Sequence, residues 1–177
     1  MNWDLCNITM DEIVNKVAES GLMTIDLEKM IPEGPRAEID LKDLLFQGMV
    51  LREKDFRNYI KETDWDSYAG HYVNVRCSAD AIVPNWAYML IASKLSGIAN
   101  QVVFGDKSEL ESRLVLKQIE ALDYSSYHDE RVIIKGCSDT VISEEAYLNL
   151  TMKLTPHVKS LMFGEPCSAV PVYKKRK

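Results

Sequence analysis

Apolar positions change their period along this chain. Short β-branched runs alternate with longer stretches whose apolar residues return every three or four positions, the sequence form of strands alternating with helices. Thr9-x-x-Glu12 is a capping-box pattern followed by Ile13, Val14 and Val17 at helical spacing, and Gly21 supplies the stop, so a short helix opens the chain. Two short β patterns, Leu22 to Leu27 and Ala37 to Leu41, flank the breaker-rich Ile31-Pro32-Glu33-Gly34-Pro35 and predict a hairpin or wide turn. Phe56, Tyr59 and Ile60 form the inward face of a helix over Glu53 to Glu62. The pattern then reads strand at Val73 to Arg76, helix from Pro84 to Ser96 with Gly97 as stop, and strand at Gln101 to Phe104 bounded by Gly105. Ser108-x-x-Glu111 predicts the cap of the next helix, whose stripe is Leu110, Leu114, Val115, Ile119 and Leu122. Strand (Val132 to Lys135), helix (Ser143 to Thr155) and strand (Ser160 to Phe163) close the pattern.

The last three elements repeat the earlier three. Residues 72–106 align without a gap on residues 131–165, 59 positions later, with eight identities: Val73/Val132, Asp80/Asp139, Ala87/Ala146, Tyr88/Tyr147, Lys94/Lys153, Leu95/Leu154, Phe104/Phe163 and Gly105/Gly164. Upstream, Asp64, Ser67 and Tyr68 fall on Asp123, Ser126 and Tyr127, so the copies run over about 45–106 and 104–165. Leu44-Leu45-Phe46-Gln47-Gly48 resembles the Phe-Gly strand ends with one residue inserted and reads as a degenerate third ending. Strand–helix–strand units of this kind form parallel βαβ crossovers with helices over the sheet faces. The predicted architecture is therefore α/β: a mostly parallel sheet with helices on both faces, a three-layer sandwich built on the βαβ duplication, with a small N-terminal helix and hairpin. One domain is expected over residues 10–173, between a loose extension at 1–9, which includes Cys6 and makes Met10 an alternative start, and a basic tail at 174–177. Trp86 to Leu90 is apolar almost all round, which predicts a helix buried on two sides or lying at a homodimer contact.

Composition narrows the classes. With 177 residues and 46% apolar content the chain can bury one core. A net charge of -6 argues against a nucleic-acid partner, which needs a basic face. No apolar run has the length of a membrane span, and the N-terminus lacks the basic-then-apolar order of a signal peptide, so a cytoplasmic protein is expected. In that compartment the four cysteines are free, metal-bound or catalytic rather than disulfide-bonded.

Candidate chemistry follows from placing residues on the topology. In a parallel sheet the strand C-terminal ends form the usual ligand edge, with helix N-termini beside them. Cys77 and Cys137 follow equivalent strands, Cys167 follows the last one, and Asp80, Asp139, Asp106 and Glu165 map to the same edge. His71, His128 and His157 map to the opposite edge, about 20 Å away across a six-residue strand, which argues against a Cys-His dyad or a histidine-ligated zinc. The constellation that remains is Cys77, Cys137 and Cys167 with Asp80, suited to zinc or iron. The same cysteines equally fit small half-buried loop residues, and Asp80 and Asp139 fit loop or first-turn caps. A nucleophilic Cys137 with Asp139 orienting the substrate is the thiolate alternative. Repeated Tyr68, Tyr127, Tyr88 and Tyr147 read as packing residues. The dinucleotide, P-loop, nucleophile-elbow and zincin motifs are absent, and Gly105-Asp106-Lys107-Ser108 lacks the leading glycine of a phosphate loop.

The stretches DEIVNKVAESGLMTIDLE, LLFQGMVLREKDFR, CSADAIVPNWAYML, VIIKGCS and LMFGEPCSAVPVYKK together resemble a bacterial family known as domain of unknown function 2480, from about Met10 to Tyr173. The resemblance implies no activity. It implies an association with iron–sulfur cluster assembly proteins as partners, in keeping with a three-cysteine edge. Three functions are thus expected to compete: a metal-binding accessory protein related to zinc, iron or iron–sulfur chemistry, an enzyme with a cysteine thiolate, and a non-catalytic dimeric binding scaffold.

Overall fold

The computed structural model describes residues 21–136 and 142–176. The opening helix expected behind Thr9, together with Cys6 and Met10, lies outside the described residues. Among the described residues seven strands and four α-helices follow one another as β1 (Leu22–Asp26), β2 (Arg36–Asp40), α1 (Glu53–Glu62), β3 (Tyr72–Arg76), α2 (Asn85–Leu95), β4 (Gln101–Phe104), α3 (Lys107–Ala121), β5 (Arg131–Lys135), α4 (Glu144–Leu154), β6 (Ser160–Phe163) and β7 (Val170–Lys174). The expected periods therefore place every repeated strand and helix to within a residue or two. Among the described residues no helix is long and apolar enough to cross a membrane.

These strands form two sheets, ordered β1-β5-β6-β7 and β2-β3-β4, and among the described strand pairs only β6–β7 is antiparallel. Their pairing follows the 59-residue offset residue for residue. Tyr72 pairs with Gln101 and Arg131 with Ser160; the outer strand of each set adds Arg36 opposite Tyr72 and Leu22 opposite Arg131. The fold is α/β and mostly parallel as expected, with its strands divided between two sheets. The predicted hairpin is not formed. β1 and β2 pair with β5 and β3 respectively, in different sheets, because each is a parallel edge for its own central strand and buries Ile25 or Ile39 there. Phe46 and Val50 make only an isolated bridge around Gln47 at φ 52°, so the supposed third Phe-Gly ending is a tight turn outside both sheets.

Helix α3 holds the two sheets together. Leu110 and Leu114 pack on Val103 and Tyr72 of the three-stranded sheet, whereas Val115 and Ile119 join Val132, Ile134 and the α4 residues Ala146, Leu150 and Leu154 against the four-stranded sheet. Helices α1 and α2 cover the other face of the three-stranded sheet through Phe56, Ile60, Ala87, Ile91 and Leu95. Of the two expectations for the all-round apolar α2, burial on two sides is not found: Met89 is 69% exposed.

The start of α3 differs from its expected cap. Asp106 is the N-cap: its carboxylate accepts from the Glu109 N–H (3.0 Å), and Glu109 accepts from the Asp106 N–H (2.8 Å). The strand ends at Phe104 and Gly105 turns the chain at φ 129°, so the helix begins two residues before the Ser108 pattern suggested. Glu111 is left free to pair with Arg36 of β2 at 2.9 and 3.0 Å. Replacing Asp106 with Ala is expected to cost about 1 kcal/mol in urea unfolding, and Ser108→Ala less than about 0.5 kcal/mol. Equal losses would reject Asp106 as the cap.

Candidate functional site at the strand C-terminal edges

Each sheet ends in an acid set beside a cation. The tripeptide Ile-Asp-Leu occurs at 25–27 and again at 39–41. In both copies the isoleucine and leucine are buried and the aspartate closes the strand, where its carboxylate accepts from the backbone N–H two residues on: Glu28 for Asp26 (3.2 Å) and Lys42 for Asp40 (3.0 Å). Register places Lys135 beside Asp26 and Arg76 beside Asp40. The Ile-Asp-Leu repeat, 14 residues apart, was the signal available for these acids.

At the three-stranded edge Asp40 ties the strand ends to the following loop. Ser78 N–H donates to its Oδ1 (3.0 Å), and Lys42 Nζ and Arg76 Nε stand 3.8 and 4.0 Å from its Oδ2. Burial alone would raise its pKa. The Ser78 and Lys42 hydrogen bonds and the Lys42 charge outweigh that and bring it down to about 2. Arg76 Nη2 reaches Glu38 (3.2 Å), while its Nε is buried with no hydrogen-bond partner among the described residues. Cys77 is half-buried against the α1–α2 core, its thiol directed at Ala79 O (3.7 Å). Tyr88 stands over the same edge, edge-on to Phe104 at 5.4 Å; burial, then Cys77 and Asp40, raise its pKa.

The four-stranded edge repeats the backbone and changes the chemistry. Gly164, at φ 111°, donates to Ile134 O as Gly105 does to Val75 O, both at 3.0 Å. This requirement for positive φ explains the repeated Phe-Gly ending. Tyr147 stands edge-on to Phe163 at 5.6 Å and donates to Gly136 O. Lys135 Nζ meets Glu165 Oε2 at 2.7 Å, and Cys167 is exposed in the turn leading to β7.

Of the predicted ligands, Cys77 and Cys167 therefore end different sheets, with α3 between those sheets. The expected single edge is two edges. Asp80 is exposed, and Asp106 serves as the α3 cap. Cys137 and Asp139 lie outside the described residues, and among the described residues no three His, Cys, Asp or Glu side chains are grouped so as to hold a metal ion. His71, His128 and His157 precede β3, β5 and β6, at the strand ends opposite Cys77 and Cys167.

The model of the family described as "Protein of unknown function (DUF2480)" matches residues 11–175. No curated protein and no solved structure matches the chain.

Asp40 gives a pH signature. Its folded pKa lies below its unfolded value, so its stabilisation is present above about pH 4 and is lost as pH falls toward 2. Discounted for the solvent at this edge, Asp40→Asn is expected to lose about 1 kcal/mol at pH 7. The difference from wild type should shrink on acidification in urea titrations. A loss that stays constant down to pH 2 would contradict the assigned hydrogen bonds.

Proposed function

The chain belongs to the family of proteins of unknown function DUF2480, and from that premise we propose that it is a metal-binding accessory protein. The metal is zinc or iron, held at the C-terminal edge of the four-stranded sheet. Cys137 and Cys167 are its thiolate ligands in this reading, with Asp139 as the accompanying carboxylate. The supporting observation is the 2.7 Å ion pair between Lys135 and Glu165. Lys135 ends β5 two residues before Cys137, and Glu165 follows β6 two residues before Cys167. β5 and β6 are hydrogen-bonded neighbours. A thiolate pair of this kind suits zinc and iron, whose bonds to sulfur require the ligands to converge within a few ångströms. Cys77 and Asp80 stand on the other sheet and are not ligands in this reading, which narrows the three-cysteine set. Its partners would be iron–sulfur assembly proteins in the cytoplasm.

The test is elemental analysis of protein purified anaerobically without chelator, beside Cys77→Ser, Cys137→Ser and Cys167→Ser. About one zinc or iron per chain, kept by Cys77→Ser and lost by the other two, is expected. Metal-free wild type that takes up neither zinc nor ferrous iron overturns the reading. If Cys137 then alkylates much faster than the other cysteines, the thiolate enzyme with Asp139 takes its place.

Met89 favours a second reading, the dimeric scaffold. It is 69% exposed on a helix with no charged side chain from Asn85 to Ser93. A monomeric mass by light scattering at high concentration, unchanged by Met89→Glu, would dismiss it.

A further inference from the structure

The four-stranded sheet has a second face. Residues in register share a face, so Met23, Val132, Leu161 and Tyr173 point to α3 and α4, and the row beside them, Leu22, Arg131, Ser160 and Lys174, points the other way. Next on this outer face come Thr24, Ile133, Met162 and Pro171, of which Ile133 is fully buried and Met162 half-buried; a β-bulge leaves Val172 unpaired and bends β7 at that point. Over β6 and β7 lies a cleft of about 430 Å³, with Met162 and Pro171 as its apolar side chains on this face and Arg131, Lys159, Lys174 and Lys175 around it. Lys175 pairs with Asp129 (3.3 Å), but Arg131, Lys159 and Lys174 have no ion-pair partner among the described residues. Lysine and proline on an edge strand are common protection against strand addition. That accounts for Pro171 and Lys174 and not for Arg131, on a central strand, or Lys159, before β6.

The other sheet carries the same row with its complement in place. Arg36, Tyr72 and Gln101 are the equivalents, and α3 lies over them: Glu111 binds Arg36 at 2.9 and 3.0 Å, Lys117 binds Gln101 at 3.2 Å, and Leu110 and Leu114 rest on Val103 and Tyr72. On the three-stranded sheet this row therefore takes an apolar body carrying a carboxylate, with Arg36 at the position of Leu22 and Tyr72 at that of Arg131. We infer that the cleft over β6 and β7 binds a small organic carboxylate, its apolar part on Met162 and Pro171 and its charge between Arg131 and Lys174. Volume and lining fall in the range of small-molecule sites, which combine an apolar wall with a few polar groups that fix orientation. Nothing in this inference depends on the metal reading, since the strand C-terminal edge and its cysteines lie at the other end of β6.

Calorimetric titration of the full-length protein with octanoate tests it, with acetate to remove the apolar part and octyltrimethylammonium to reverse the charge. Octanoate is expected to bind once per chain, and neither control at the same concentration. The double variant Arg131→Gln, Lys174→Gln should weaken octanoate about tenfold, the loss of one charge-assisted contact. The Met162 methyl resonance of wild-type protein should shift during the titration, a measurement independent of any variant. No octanoate binding, equal binding of the ammonium compound, a silent Met162 methyl or undiminished affinity in the folded double variant each overturns the inference.

Discussion

One helix must satisfy two sheets at once, and most of the molecule follows from that constraint. On α3 the pairs Leu110/Leu114 and Val115/Ile119 are each four residues apart, while Leu114 and Val115 are adjacent and so lie about 100° apart around the helix. The first pair meets the three-stranded sheet and the second the four-stranded sheet. Burial of each such side chain stabilises by about 2 kcal/mol, which against a net stability of about 10 kcal/mol makes this double contact decisive. Polar ties set its rotation and height: the Asp106–Glu109 capping box, Arg36–Glu111, and Ser112 to Ser143 at 2.7 Å.

With α3 placed, the two strand edges inherit one backbone and diverge in chemistry. Both carry an Ile-Asp-Leu strand end, a tyrosine edge-on to a phenylalanine and a glycine at positive φ. At the three-stranded edge the acid is saturated by Ser78 and Lys42 and the thiol of Cys77 turns to a backbone carbonyl, an arrangement that ties a loop down. At the four-stranded edge the cation reaches across to Glu165, and Cys167 faces solvent. The likeness of the two edges belongs to packing; the differences are where chemistry is to be sought.

Where sequence pattern and structure differ, the deciding contact lies outside the pattern itself. Ser108-x-x-Glu111 and Asp106-x-x-Glu109 are equally good capping patterns on paper, and the choice depends on where β4 ends and Gly105 turns. The sequence pattern does not mark β7 because Pro171 interrupts it, which an antiparallel edge strand tolerates and a central one does not. The candidate site was half legible. Cys77 and Cys167 follow strand C-terminal ends and the three histidines precede strands, as their places in the chain suggest, while Cys137 lies outside the described residues. Which strands are neighbours was not legible, so Cys77 was grouped with Cys167 although they end different sheets.

By itself the sequence determined what depends on neighbours along the chain. The period of 2 or 3.6 sets strand or helix, glycine supplies the positive φ at each Phe-Gly ending, and the 59-residue offset makes the two crossovers pair in the same register. Only the tertiary structure decided which strands share a sheet, whether Leu22–Asp26 and Arg36–Asp40 meet, and which face of α3 goes where. Strand partnership is fixed by burying both faces of a sheet at once, a non-local balance that no window of sequence contains.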